Sequence, residues 1–109
     1  MFEILRKNHM RVVQGDTATF TINVDEHEFI EGDLVYFTVK KDIADKEYVL
    51  QKIVSEFTDN MAIFNLSKED TSLDTGVYIY DIQVSLSNGI VDTIVLPSKF
   101  EILGGVTNG

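Results

Sequence analysis

Residues 17–24, TATFTINV, put Ala18, Phe20, Ile22 and Val24 on one side and Thr17, Thr19, Thr21 and Asn23 on the other. A period of two marks a strand with one face on a core and the other in water. Residues 34–40, LVYFTVK, repeat the pattern, with Val35, Phe37 and Val39 opposite Tyr36, Thr38 and Lys40. Residues 48–55 and 61–66 are two further predicted strands, the second grouping Ala62, Phe64 and Leu66. The longest alternation is 77–87, VYIYDIQVSLS, where Tyr78, Tyr80, Ile82, Val84 and Leu86 share one side. Asn88-Gly89 separates it from the run 90–96. That dipeptide predicts a two-residue type I′ hairpin, because both central residues of such a turn need positive φ. The lone proline, Pro97, should end or bulge the last strand, since it has no N–H for a ladder. Phe100 and Ile102 continue that strand weakly. Helix is reduced to one turn at Ser67-Lys68-Glu69-Asp70, a capping-box pattern with no long apolar run behind it. Residues 1–9 and 104–109 are expected to be flexible.

These elements predict an all-β fold and one domain over residues 1–109. At 44% hydrophobic the chain can build a single small core. There are no cysteines, which excludes disulfides, thiol catalysis and zinc–thiolate sites. A net charge of −9, from 18 acidic and 9 basic residues, repels phosphate backbones and anionic lipid. Neither nucleic acid nor membrane is expected as a partner. The opening MFEILRKNHM has no apolar run long enough for a signal peptide. The chain is therefore expected to stay where it is made or to leave by lysis.

Asp74-Thr75-Gly76-Val77-Tyr78-Ile79-Tyr80 resembles the Asp-x-Gly/Ala-x-Tyr-x-Cys pattern of immunoglobulin-type domains. The resemblance implies a structural corner at Asp74, Gly76 and Tyr78, with the tyrosine hydroxyl folded back on the preceding connection. Tyr80 stands at the cysteine position, and Tyr36 and Phe37 stand where such domains carry a tryptophan. The expected fold is an all-β immunoglobulin-like antiparallel β-sandwich of about seven strands. A second resemblance covers nearly the whole chain. Residues 11–20 (RVVQGDTATF) and 32–40 (GDLVYFTVK) carry its first half. Thr75-Gly76-Val77-Tyr78 with Asp81-Ile82-Gln83, and residues 98–102 (SKFEI), carry its second. Together they are similar to the N-terminal domain family of phage baseplate upper proteins and to related small prophage tail-associated proteins of Gram-positive bacteria.

That resemblance implies a non-enzymatic structural or accessory module of a phage or prophage particle, used in tail, baseplate or capsid assembly. It would act by contacts with itself or with larger virion proteins, in the bacterial cytoplasm during assembly and with the virion as a destination. The family domain usually heads a longer protein, so a one-domain chain predicts a small accessory protein. The alternative is a ligand-binding or adhesion module for cell-surface carbohydrate or protein. Phe29, Tyr48 and Phe57 are the aromatics a sugar site could use.

Chemistry-bearing residues are sparse. His9 and His27 lie among polar residues, are expected at a solvated surface, and lack partners at metal-ligand spacing. Asp25-Glu26-His27-Glu28 lacks the spacing of a calcium loop. A two-residue loop at Asn88-Gly89 sets Ser85 opposite Asp92, Gln83 opposite Ile94 and Asp81 opposite Leu96. Asp81 and Asp92 then share a face several rungs apart, too far for an acid/base pair. No catalytic, cofactor-binding or metal-binding residue is predicted. The same register puts Ile79, Ile94 and Leu96 outward near Tyr36. These four are the interface candidates, for a homo-oligomer or another partner.

Overall fold

A computed structural model describes residues 2–4, 8–24 and 27–106, with backbone alone for 2–4. Asp25 and Glu26 of the charge run, and residues 107–109 of the tail, lie outside the described residues. Eight strands run in order: β1 (Phe2–Ile4), β2 (Met10–Val13), β3 (Ala18–Ile22), β4 (Leu34–Lys40), β5 (Leu50–Val54), β6 (Ala62–Leu66), β7 (Gly76–Ser85) and β8 (Val91–Leu103). The larger sheet has the order β1-β2-β8-β7-β4-β5, and β3 pairs with β6 in a second sheet. Without the three-residue β1, seven strands remain, five of them in the larger sheet. No α-helix occurs among the described residues.

Two expectations need correction. The pairing is not wholly antiparallel: β2 runs parallel to β8, with Met10 beside Phe100 and Val12 beside Ile102. Of the first nine residues, Phe2–Ile4 pair with β2 and the Asn8 carbonyl accepts the Tyr80 hydroxyl, so these are not free; residues 1 and 5–7 lie outside the described residues. Burial at that contact pushes the Tyr80 pKa up to about 12.

The core follows the alternation. Val35, Phe37 and Val39 of β4 and Tyr78, Tyr80, Ile82 and Val84 of β7 are buried. From the small sheet Ala18, Phe20, Ala62, Phe64 and Leu66 come to meet them. Phe20 and Phe64 stack with centroids 5.1 Å apart, and Phe37 sets its edge against Phe20 at 5.1 Å. Phe37 also lies 5.5 Å from Tyr80 and 5.8 Å from Phe100. One ring thus joins both sheets at the position where the sequence lacks a tryptophan.

Polar clamps close the two ends. At one end the buried Asp33 carboxylate accepts the N–H groups of Ile30 (3.0 Å) and Ser87 (2.9 Å) and lies 3.2 Å from His27 Nε2. Gly32 permits this approach. Its φ is +98°, and a Cβ there would sit 3.0 Å from Ser87 Cβ. Asn60 braces the same end, accepting the Phe29 N–H (2.7 Å) and donating to the His27 carbonyl (2.9 Å). Asp59 and Asn60 have φ of 50° and 60°, the two positive values of a type I′ turn, closed between Thr58 and Met61. At the other end the Ser67–Asp70 capping box forms reciprocally, at 2.8 and 3.1 Å, over a single turn. Thr71, fully buried, donates its hydroxyl to the Asp16 carbonyl at 2.7 Å. Beside it the Tyr78 hydroxyl donates to the Asp74 carbonyl at 2.7 Å, and Gly76 turns the chain into β7 at φ +150°. The corner expected at these three residues is present.

The last hairpin departs from expectation. Leu86 N–H bonds to the Ile90 carbonyl and Gly89 N–H to the Leu86 carbonyl, which closes a three-residue loop, Ser87-Asn88-Gly89. Only Gly89 has positive φ there, so the loop is not type I′. The cause is tertiary: the Ser87 N–H is taken by Asp33, and Asn88 Oδ1 takes the Ile90 N–H at 3.0 Å. Ser85 therefore faces Val91, not Asp92. Further along, β8 runs through Pro97 with two irregularities. Asp81 faces both Leu96 and Pro97, between the pairs Tyr80–Ser98 and Ile82–Val95. Ile94 is then an extra residue between Val95 and Thr93.

The Asp33 clamp has a pH signature. Burial alone would raise its pKa; the Ile30 and Ser87 N–H groups and the His27 imidazole outweigh it and hold the carboxyl below its ordinary 3.8. An acid whose folded pKa is depressed stabilises fully above its unfolded value and loses that as pH falls through the folded one. Asp33→Asn leaves one oxygen acceptor for two N–H donors. It should cost about 1–3 kcal/mol in urea unfolding near neutral pH. It should also lose less stability than wild type on acidification below about pH 4. Equal stability of the two proteins would dismiss the clamp. Tyr78→Phe should cost about 1 kcal/mol for the lost corner bond; an unchanged thermal midpoint would mean the hydroxyl contributes nothing.

Candidate functional site

The outward face of β5-β4-β7-β8 is the surface where the candidate residues lie. Strand alternation builds it: with Val35, Phe37 and Val39 inward, Leu34, Tyr36, Thr38 and Lys40 point out from β4. Opposite them on β7 stand Ser85, Gln83, Asp81 and Ile79. Pairing makes one row of Ile53, Tyr36, Gln83 and Thr93, and another of Lys40, Ile79 and Lys99. Gln51 Nε2 donates to Thr38 Oγ1 at 3.1 Å between these rows.

Three of the four interface candidates reach this face. Leu96 is 71% exposed, and Tyr36 and Ile79 are half-buried. Ile94 does not reach it; it packs against the core. Alternation would put Ile94 and Leu96 together, but the extra residues at Ile94 and at Leu96-Pro97 each reverse the parity of β8. The bulge sends Leu96 outward and leaves Val95 and Ile94 to fill the core's margin. Ile53, 52% exposed beside Tyr36, belongs to the face and was missed. Its signal was available only once the pairing of β5 with β4 was known. Ile43 was missed as well. It is 65% exposed on the 41–49 connection, which Lys40 Nζ ties down by a 2.8 Å bond to the Asp45 carbonyl.

Thr38, Lys40, Ile43, Ile79, Asp81 and Pro97 line a small recess in this face. It lies beside the bulge that raises Leu96. Burial is the main influence on Asp81 and raises its pKa, with Lys40 opposing. The face carries Lys40 and Lys99 against Asp81 and Glu101, while Asp42, Asp45, Glu47, Glu31, Glu56 and Asp59 sit in the connections with Lys41 and Lys46.

Other expected chemistry is placed differently. The histidines are only partly solvated: His9 lies 3.2 Å from Glu101 and His27 3.2 Å from Asp33, each half-buried. Asp92 faces Val84, a core residue, so Asp81 and Asp92 point to opposite faces of the sheet. Phe29 is buried and stacks on Phe57 at 4.2 Å and 6°. Tyr48 alone of the three loop aromatics is exposed. Among the described residues no group of three or more His, Asp or Glu side chains gathers as a metal site. Comparison with protein-family models, with curated proteins and with solved structures finds no match to this chain.

The parity of β8 can be read by substitution. Ile94→Lys puts a charge against the core and should cost about 2–4 kcal/mol. Leu96→Lys should change stability by less than about 0.5 kcal/mol, because the side chain is already in water. Equal costs, measured by chemical denaturation, would contradict the two bulges.

Proposed function

We propose that the chain is an immunoglobulin-like sandwich that works without catalysis, as a structural or accessory module of a phage or prophage particle. Its role would be in tail, baseplate or capsid assembly, through protein contacts on the β5-β4-β7-β8 face. Its partners would be other copies of itself or larger virion proteins.

Two features support the immunoglobulin-like part. β3 and β6 form one sheet and β4, β7 and β8 belong to the other, as B and E stand apart from C, F and G in such domains. The Tyr78–Asp74 bond at the start of β7 matches the tyrosine corner. The particle context rests on the resemblance carried by residues 11–20, 32–40, 75–83 and 98–102.

The observation that carries the contact function is the outward sheet face. The water-facing side of an antiparallel sheet is ordinarily polar. Here Ile53, Leu96 and Val91 are more than half exposed on it, at 52, 71 and 58%. Polar residues surround them, the pattern of a protein-contact patch. Phe29 is buried and stacked on Phe57, which leaves Tyr48 as the one exposed aromatic of the three and weighs against carbohydrate adhesion. The net charge of −9 weighs against nucleic acid. No helix of the described residues is long and apolar enough to cross a membrane.

In a lysate of induced host cells resolved on a density gradient, the chain should co-sediment with particles or with assembly intermediates. Leu96→Lys should stay with free protein at the top of the gradient. Wild-type chain confined to the top in every fraction set would refute the particle role.

A further inference from the structure

We propose that the β5-β4-β7-β8 face binds a second copy of this chain, each Leu96 entering the recess beside Pro97 of the other. The inference rests on the reading of that face as a protein-contact surface and names its partner.

The first reason is shape. A twofold contact is self-complementary: residue i meets residue j, and j meets i. A single face must then carry both a projection and a matching hollow. This face does. The bulge opposite Asp81 throws Leu96 into water, 71% exposed. The same bulge opens the recess lined by Thr38, Ile43, Ile79 and Pro97, with Lys40 and Asp81 at its polar side. A leucine side chain is an apolar plug suited to such a hollow, and its burial contributes roughly 1.5–3 kcal/mol. Elements of this kind on one surface serve a copy of the same chain without any other adaptation.

The second reason is charge. Two chains of −9 repel at long range. The acidic excess lies off this face: the 41–49 connection carries Asp42, Asp45 and Glu47 against Lys41 and Lys46, and the opposite end carries Glu31, Glu56 and Asp59 with no lysine or arginine beside them. On the face itself Lys40 and Lys99 are matched by Asp81 and Glu101. Two copies can therefore bring these faces together with the Glu31, Glu56 and Asp59 end outside the contact. A basic partner would be drawn to that end, away from Lys40 and Lys99.

Size sets the strength. Four strands about 4.8 Å apart and about seven residues long present roughly 400 Å² in projection. A standard interface buries about 800 Å² per partner, so the pair should be weak, with Kd in the micromolar range or above. Because the contact is apolar and the long-range term repulsive, association should strengthen from low salt to about 0.15 M, where the screening length falls to about 8 Å.

Light scattering and sedimentation equilibrium on the full chain, from about 1 µM to about 1 mM, test this. The expected result is a monomer–dimer equilibrium that tightens with salt. Leu96→Lys and, separately, Ile53→Lys should each weaken it at least about 30-fold, as expected when a charge replaces an apolar contact residue. Ile30→Lys, on an exposed residue at the end of the sandwich, should leave it unchanged. Circular dichroism confirms that each variant is folded, and Ile53→Lys stands in should Leu96→Lys not fold. A monomer at all concentrations overturns the proposal. So does a dimer that both face variants leave intact, or one that salt weakens. A monomer that still co-sediments with particles overturns the paired contact alone; a salt-strengthened dimer absent from particles overturns the particle role alone.

Discussion

The packing of Phe37 between two sheets is the contact on which the rest depends. Two strands in isolation are at best marginally stable in water. β3 and β6 have no other strand to pair with, so they are held by what their inner face buries. That face is Ala18, Phe20, Ala62, Phe64 and Leu66, and its rings close on Phe37. No disulfide joins the sheets, as the chain has no cysteine. The aromatic cluster must supply what a covalent bridge supplies elsewhere, with each buried ring contributing roughly 1.5–3 kcal/mol. From Phe37 the contacts pass to Tyr80 and Phe100, and through the Tyr80 hydroxyl to the chain before β2.

With the middle of the sandwich sealed by rings, specificity is left to its ends. Each end is closed by a few polar groups, of which Asp33 and Thr71 are buried, that mostly bond backbone. Asp33 holds the turn before β4 against the β7–β8 hairpin. Asn60 holds residues 27–29, and Thr71 and Gln14 hold the connection before β7. Unmet donors at such positions are costly, so each clamp admits few alternative loop geometries. The frame that results leaves the outward side of β5-β4-β7-β8 as its broadest sheet face.

That surface owes its relief to the irregular course of β8. A regular strand would have put Leu96 and Ile94 side by side and produced a flat stripe. Two extra residues turn Ile94 to the core, lift Leu96, and open the hollow next to Pro97. A bulge therefore converts a plain sheet into a surface with a projection and a receptacle, which is what specific contact requires. The proline contributes by lacking the N–H that a regular ladder would use.

Local pattern was enough for the strands that carry the core. The alternation of Val35, Phe37 and Val39, and of Tyr78, Tyr80, Ile82 and Val84, identifies its buried side because period two leaves no choice once a core forms. Asp74, Gly76 and Tyr78 made the corner readable because its bond spans four residues. Ser67 and Asp70 did the same for the single turn. What the sequence could not decide depended on residues far apart. Asp33 claims the N–H of Ser87, 54 positions away, and so turns Asn88-Gly89 from a two-residue into a three-residue loop. The parallel seat of β2 on β8, the place of Ile53 beside Tyr36 and the inward turn of Ile94 have the same origin. Pairing is settled by cross-strand and buried contacts across the whole chain, and a one-residue difference in register is invisible to local periodicity while it reverses which side chains meet water.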